Sequence, residues 1–236
     1  MAIKKGLFKT SVGRKNLMAL TGLFIIFFLV IHLVGNLLLI IPDSFFPIEF
    51  WGNVANQHDM YNAYSHFLVH FWPITVVAWV LYAAIALHII DAILITLKNW
   101  KAKGEKYVVT DNSTSTWISR NMGILGSIIL IFLVIHFKDY WYVYKFGSPP
   151  IDAEGNKDLY IIVMNSFKEL WYVVLYVIAI MGLGLHLIHG VSSAFRTLGV
   201  YHPKFIKWIK YGGYAFSILI TIGFAIIPII TYIKQL

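Results

Sequence analysis

Along this chain polar and apolar positions fall in long blocks rather than in the short periods of an amphipathic surface helix or a half-buried strand. Asn16 to Pro42 contains no Asp, Glu, Lys or Arg. Met60 to Ile90 contains none either, and the apolar run continues past Asp91 to Leu97. Asn121 to Phe137 is shorter and is extended by Trp117–Arg120 and Asp139–Phe146, while Leu170–Phe195 and Tyr211–Ile233 complete the set. Crossing the hydrocarbon core of a bilayer takes about 20 consecutive, mostly apolar residues. The pattern therefore predicts an all-α, integral membrane bundle of five transmembrane helices, at about 17–41, 67–97, 117–145, 167–196 and 205–233. They form a single transmembrane domain over 1–236, with termini on opposite sides. The stretches 42–66, 98–116 and 147–168 are expected as polar connections, the third opened by the Pro- and Gly-punctuated Gly147–Gly155. The first apolar run, about 25 residues, exceeds a signal-peptide core, so no cleavable signal is expected.

Composition agrees with the blocks. Of 236 residues, 59% are apolar and 13% charged, against about 25% charged in soluble domains. A soluble globule, a disordered chain and a fibre are excluded. The net charge of +8 is distributed unevenly, with 14 of the 19 Lys and Arg in the N-terminal segment, the second connection and its flank, and the fourth connection. The first connection has none but holds Asp43, Glu49 and Asp59. By the positive-inside rule the N-terminus lies in the cytoplasm. The basic residues mark membrane boundaries, so nucleic-acid binding is not expected. Cysteine is absent. That excludes disulfides, Cys-ligated zinc or iron–sulfur clusters held by this chain, and haem attached through C-x-x-C-H.

Ionisable residues inside spans are functional candidates by default. His32, His88, His136 and His186 lie in the first four spans, with His189 near the last of them. His32 is nine residues before Ile41 on an outward helix, and His136 is late on another. His88 is nine residues before Leu97 and His186 ten before Arg196, both on inward helices. The four sort into an outer layer, His32 and His136, and a cytoplasmic layer, His88 and His186. Two helices contribute to each layer, as two bis-histidine, noncovalent b haems require. Small residues share the ligand faces: Gly182 and Gly190 around His186, Ala84 and Ala92 around His88, and Gly35 after His32. His186 is preferred over His189, whose i−4 and i+4 neighbours are Leu185 and Ser193. The blander assignments are an outer-interface position for the His66/His70 pair, loop positions for His58 and His202, and solvation of Asp91 near its helix end. Trp72, Trp100, Trp141 and Tyr142 suit an interfacial aromatic belt.

The segments Val30–Asn36, Ala86–Ile93, Val134–Phe137 and His186–Gly199 give the chain a resemblance to a known family. It resembles, over its whole length, the cytochrome b subunit of succinate:quinone oxidoreductases (succinate dehydrogenases and fumarate reductases), in the single-anchor, five-helix, two-haem form of menaquinone-using bacteria. The resemblance implies a place in the bacterial inner (cytoplasmic) membrane, with a flavoprotein subunit and an iron–sulfur subunit on the cytoplasmic face. Two b haems would pass electrons between them and membrane quinone or menaquinone. His88 and His186 would hold the proximal haem, and His32 and His136 the distal one. Members often form dimers of the whole complex. One departure is Gly184, where some fumarate reductases have a Glu linked to a proton path. Arg14, Arg120 and Arg196 are candidate partners of the anionic propionates, or else topology signals alone. Glu49, Asp59 and His66 are candidates for a quinone site near the distal haem. Two alternatives stay open: a two-haem anchor of another quinone-linked enzyme, such as nitrate reductase or a hydrogenase, and a haem-free transporter with a histidine proton relay.

Overall fold

A computed structural model describes residues 10–45, 56–102, 116–200 and 202–236. These residues are helical, with no strand among them beyond one isolated bridge between Ile151 and Lys157. In chain order the helices are α1 (Ser11–Leu37), α2 (Gln57–His70), α3 (Trp72–Ala102), α4 (Trp117–Arg120), α5 (Met122–His136), α6 (Val143–Phe146), α7 (Leu159–Ser166), α8 (Leu170–Thr197) and α9 (Ile206–Ile233). Short 3-10 and π-helical turns lie at Asp43–Phe45 and Phe137–Tyr142. Five stretches are long and apolar enough to cross a membrane: Val12–Leu37, Trp72–Lys101, Met122–Phe146, Leu170–Thr197 and Ile206–Ile233.

The second span differs from the sequence expectation. The expected helix at about 67–97 is two helices, because α2 ends at His70 and Phe71 is extended, with φ −77° and ψ 105°. Pro73 explains the break. It has no N–H to offer the carbonyl of Val69 and its ring blocks a continuing helix, whereas proline is tolerated in a first turn. The Thr75 hydroxyl reaches the Val69 carbonyl instead, at 3.4 Å. The stretches expected as connections also hold helices. Asn56 caps α2 by accepting from the N–H of Asp59 at 3.0 Å, and Asp158 caps α7 by accepting from the N–H of Ile161 at 3.0 Å.

α8 is the most enclosed span and packs against α1, α5 and α9, its contact with α9 being the most extensive of all. Lipid gives no hydrophobic reason for helices to associate, so close approach depends on small residues. A Cβ at Gly184 would collide with Thr221 Oγ1 on α9, and one at Gly223 would come 2.8 Å from Leu33 on α1. Many large apolar side chains remain exposed on the outside, among them Phe27, Trp79, Ile131 and Leu219. In a bundle of spans this is the lipid-facing surface. The buried aromatic and aliphatic core, with Leu39, Tyr61, Phe167, Tyr172 and Tyr176, sits where α2 and α7 cover one end of α1, α8 and α9.

That cover is clamped by polar groups. Asp158 is 4% exposed. It accepts hydrogen bonds from Asn62 Nδ2 at 2.9 Å and pairs with His58 Nε2 at 2.8 Å. Burial alone would raise the Asp158 carboxyl, but the bonds from Asn62, the Ile161 N–H and His58 outweigh it and hold it below the usual aspartate value. His58, expected as a plain loop residue, thus ties α2 to α7.

Candidate functional site

The four intramembrane histidines meet as two pairs. His32 of α1 and His136 of α5 have ring centroids 5.7 Å apart, with planes at 89°. His88 of α3 and His186 of α8 are 6.5 Å apart, with planes at 65°. All four imidazoles are half-buried.

The helices that pass both pairs measure the gap between them. On α1, Thr21 touches His88, and His32 lies eleven residues further on. On α8, Tyr176 touches His136, and His186 lies ten residues further on. At 1.5 Å per residue the two pairs are separated by about 15–16 Å along the bundle. They are two distinct layers.

Each pair has its own surroundings. The outer pair is boxed by aromatic rings: Phe28 stacks on His32 at 5.1 Å and Phe224 lies 5.7 Å from it. Phe132 and Tyr140 lie 5.6 and 5.2 Å from His136. Asn36 Nδ2, one turn after His32, is 3.3 Å from His32 Nδ1. Among the described residues the inner pair has no such box. Its notable contact is the Thr21 hydroxyl, 3.1 Å from His88 Nδ1. That hydroxyl has one proton, directed to the Leu17 carbonyl at 2.8 Å, so toward His88 it accepts. His88 therefore donates from Nδ1, and Nε2 keeps its lone pair. This is the arrangement in which a second partner orients an imidazole for a metal.

A metal held by both imidazoles of a pair, at about 2 Å each, places the ring centroids about 6 Å apart, close to both observed separations. The rest of the coordination sphere has to come from elsewhere. Among the described residues, no group of three or more His, Cys, Asp or Glu side chains gathers to hold a bare ion. A haem, which brings four nitrogens of its own, fits such a two-imidazole donor set. His186 adds a second point: its Nδ1 is buried with no hydrogen-bond partner, a cost of about 1–3 kcal/mol for a ring with no other role.

The small residues expected to make room divide into two kinds. A Cβ at Gly190 would meet nothing within 4 Å. One at Gly35 would come 2.6 Å from the Tyr64 ring of α2, and one at Gly182 would touch Ile128 of α5 at 3.4 Å. A methyl at Gly182 would make an ordinary van der Waals contact, whereas Gly35 serves helix packing. Gly184 is likewise occupied by the approach of Thr221, which leaves no place for a longer side chain.

The other candidates are spread out. Arg14 lies in the first turn of α1, Arg120 ends α4 and Arg196 lies in the last turn of α8, all at the end of the bundle nearer His88 and His186. Glu49 lies outside the described residues. Asp59, in the first turn of α2, receives a hydrogen bond from Asn56 Nδ2 at 2.8 Å and lies 3.5 Å from His58. His66 stacks on His70 with centroids 3.8 Å apart. Among the described residues, no hydrogen bond or ring contact joins Asp59 or His66 to the outer imidazoles. His189 is half-buried, and it is His186 that faces His88. Asp91, expected to be solvated, is 5% exposed with Oδ2 unpartnered.

Sequence reasoning missed the residues behind the histidines: Thr21, Asn36, Tyr176, Tyr172 and Asp139. One signal was present. His88-x-x-Asp91 and His136-x-x-Asp139 repeat the same spacing, and i, i+3 positions share a helix face. No family model, no curated protein and no solved structure matches this chain.

Proposed function

We propose that this chain is a membrane cytochrome b that holds two b haems, and that it serves as the membrane-anchor subunit of a succinate:quinone oxidoreductase. The observation that carries the reading is the pairing itself. Four histidines from four different helices meet two by two, at 5.7 and 6.5 Å, in two layers about 15 Å apart along the bundle. A chance set of packing histidines has no reason to pair in this way.

His88 and His186 would hold the haem nearer the cytoplasm, and His32 and His136 the outer one. Each haem, when bound, supplies a one-electron couple. The protein contributes the rest. It fixes the imidazoles, as Thr21 does for His88, and encloses the outer pair in aromatic rings that exclude water. Two layers about 15 Å apart give electrons stations on both sides of the membrane, between soluble flavoprotein and iron–sulfur subunits and a quinone. Arg14, Arg120 and Arg196, at the inner end, suit both the propionates and the docking of those subunits.

A reduced-minus-oxidised optical spectrum of the purified protein, with pyridine haemochrome quantification, tests the cytochrome reading. The expected result is a b-type spectrum and two haems per chain; a ratio near zero would overturn it. The soluble subunits that co-purify test the assignment of the enzyme. A flavoprotein active on succinate or fumarate is expected, and a molybdenum or nickel–iron partner would replace it with a nitrate reductase or hydrogenase anchor.

A further inference from the structure

The π-helical turn Phe137–Tyr142 begins directly after His136. It carries Asp139 to the hydroxyl groups of α8. Tyr172 donates to Asp139 Oδ2 at 2.8 Å. The Tyr172 and Tyr176 hydroxyls are 3.2 Å apart, and Tyr176 OH lies 3.4 Å from His136 Nδ1. Lys138 Nζ lies 3.2 Å from Asp139 Oδ1.

The proton count gives this chain a direction. A phenol has one proton and a carboxylate has none to give. The anionic acceptor takes the Tyr172 proton, because charge-assisted bonds are the stronger ones. Tyr172 oxygen then accepts from Tyr176, whose only proton is committed. Toward His136 the Tyr176 oxygen can only accept, so the proton of His136 lies on Nδ1.

We propose that Asp139, acting through Tyr172 and Tyr176, is a positioning residue that holds His136 in its Nδ1–H form and leaves Nε2 as the electron-pair donor. The same form results at His88, beside Thr21. The consequence for a bound group rests on the two-haem reading: an anion at the end of the chain makes the imidazole a stronger donor and lowers the reduction potential of the outer haem.

Two measurements on the full chain test it. The first needs no haem. Nitrogen-15 NMR of histidine-labelled, haem-free protein reports which ring nitrogen is protonated, with the His136 signal assigned by its loss in His136→Ala. Wild type is expected to favour Nδ1–H by a factor of about ten, the worth of one hydrogen bond. Tyr172→Phe frees the Tyr176 proton to donate to His136 and should reverse the preference; Asp139→Asn should weaken it. A wild-type Nε2–H form, or an unchanged preference in Tyr172→Phe, would overturn the proposal. The second is potentiometry of the haem-loaded protein. In both variants two haems remain, and the outer one shifts toward the reduced form by up to tenfold at fixed potential, about 59 mV upward for a one-electron couple. The inner haem should not move, and Asp139→Glu should restore the original value. Two haems with unmoved potentials would overturn the effect on the haem. Wild-type protein without haem would overturn the cytochrome reading, while the NMR result still decides the form of His136.

Discussion

His186 and His189 lie three residues apart on one helix, yet only His186 faces His88, at 6.5 Å. Three residues turn the helix by about 60° short of a full turn and advance it about 4.5 Å, enough to take His189 out of register. His186→Ala is therefore expected to lower the haemochrome ratio from two to one and leave the outer haem in place. His189→Ala should keep both. Quantification of the two purified variants decides between them, and the opposite pattern would reverse the ligand assignment. The histidines were legible in the sequence because a polar side chain among apolar ones is conspicuous. Their buttresses were not. Thr21 and Tyr176 are common residues in spans, and what singles them out is a contact across 67 residues in one case and 40 in the other.

At the scale of elements, charge-free runs identified the five spans but not α2 and α7, which are short and cover one end of the bundle. Their caps were readable as Asn56-x-x-Asp59 and Asp158-x-x-Ile161, since Asn and Asp favour the position before a helix. The break at Pro73 was readable as well, because proline cannot continue a helix. The π-helical turn at 137–142 has no comparable marker. The clamp between α2 and α7 depends on a charged Asp158, held below the usual aspartate value. A depressed carboxyl stabilises the fold fully above its unfolded value, about 3.9, and that contribution is lost as pH falls through the lower, folded value. Asp158→Asn should cost about 1–3 kcal/mol near neutral pH by weakening the bonds from Asn62, His58 and the start of α7. Thermal unfolding in detergent should show the gap between wild type and variant closing as pH falls below about 4. A gap independent of pH would mean that the clamp does not act through its charge. The contact between α8 and α9 allows a second test. Gly184→Ala places a methyl against Thr221 and should destabilise by about 1–3 kcal/mol. Adding Thr221→Ala should recover most of that loss, because the two positions share one space. Additive losses in the same unfolding assay would show that the helices do not meet there.

For the whole molecule, sidedness connects the fold to its proposed work. Five spans place the ends of the chain on opposite sides, and the basic residues at 196, 204, 207 and 210 lie at the same end as the start of α1. At the other end, Lys234 Nζ reaches Gln57 Oε1 at 3.3 Å and the Ile40 carbonyl at 3.5 Å, so the last residues of α9 lie with the end of α1 and the start of α2. The loop with the positive-φ Gly155 leads into α7 at that same end. By the positive-inside rule the excess of Lys and Arg is expected to face the cytoplasm, which would place His88 and His186 on the side of the proposed soluble partners and His32 and His136 on the far side. The chain has no cysteine, so a single introduced thiol reports its own position without background. Glu154→Cys, exposed before α7, should react in intact cells with a membrane-impermeant maleimide. Lys204→Cys, exposed between α8 and α9, should react only after the membrane is opened. Reversed labelling would turn the molecule over, bring the His32–His136 layer next to the cytoplasm and require soluble partners to dock on the α2–α7 cover. Electrons leaving a cytoplasmic dehydrogenase would then meet the aromatic-boxed pair first, and Asp139, Tyr172 and Tyr176 would act on the haem nearest the partner rather than on the one across the membrane.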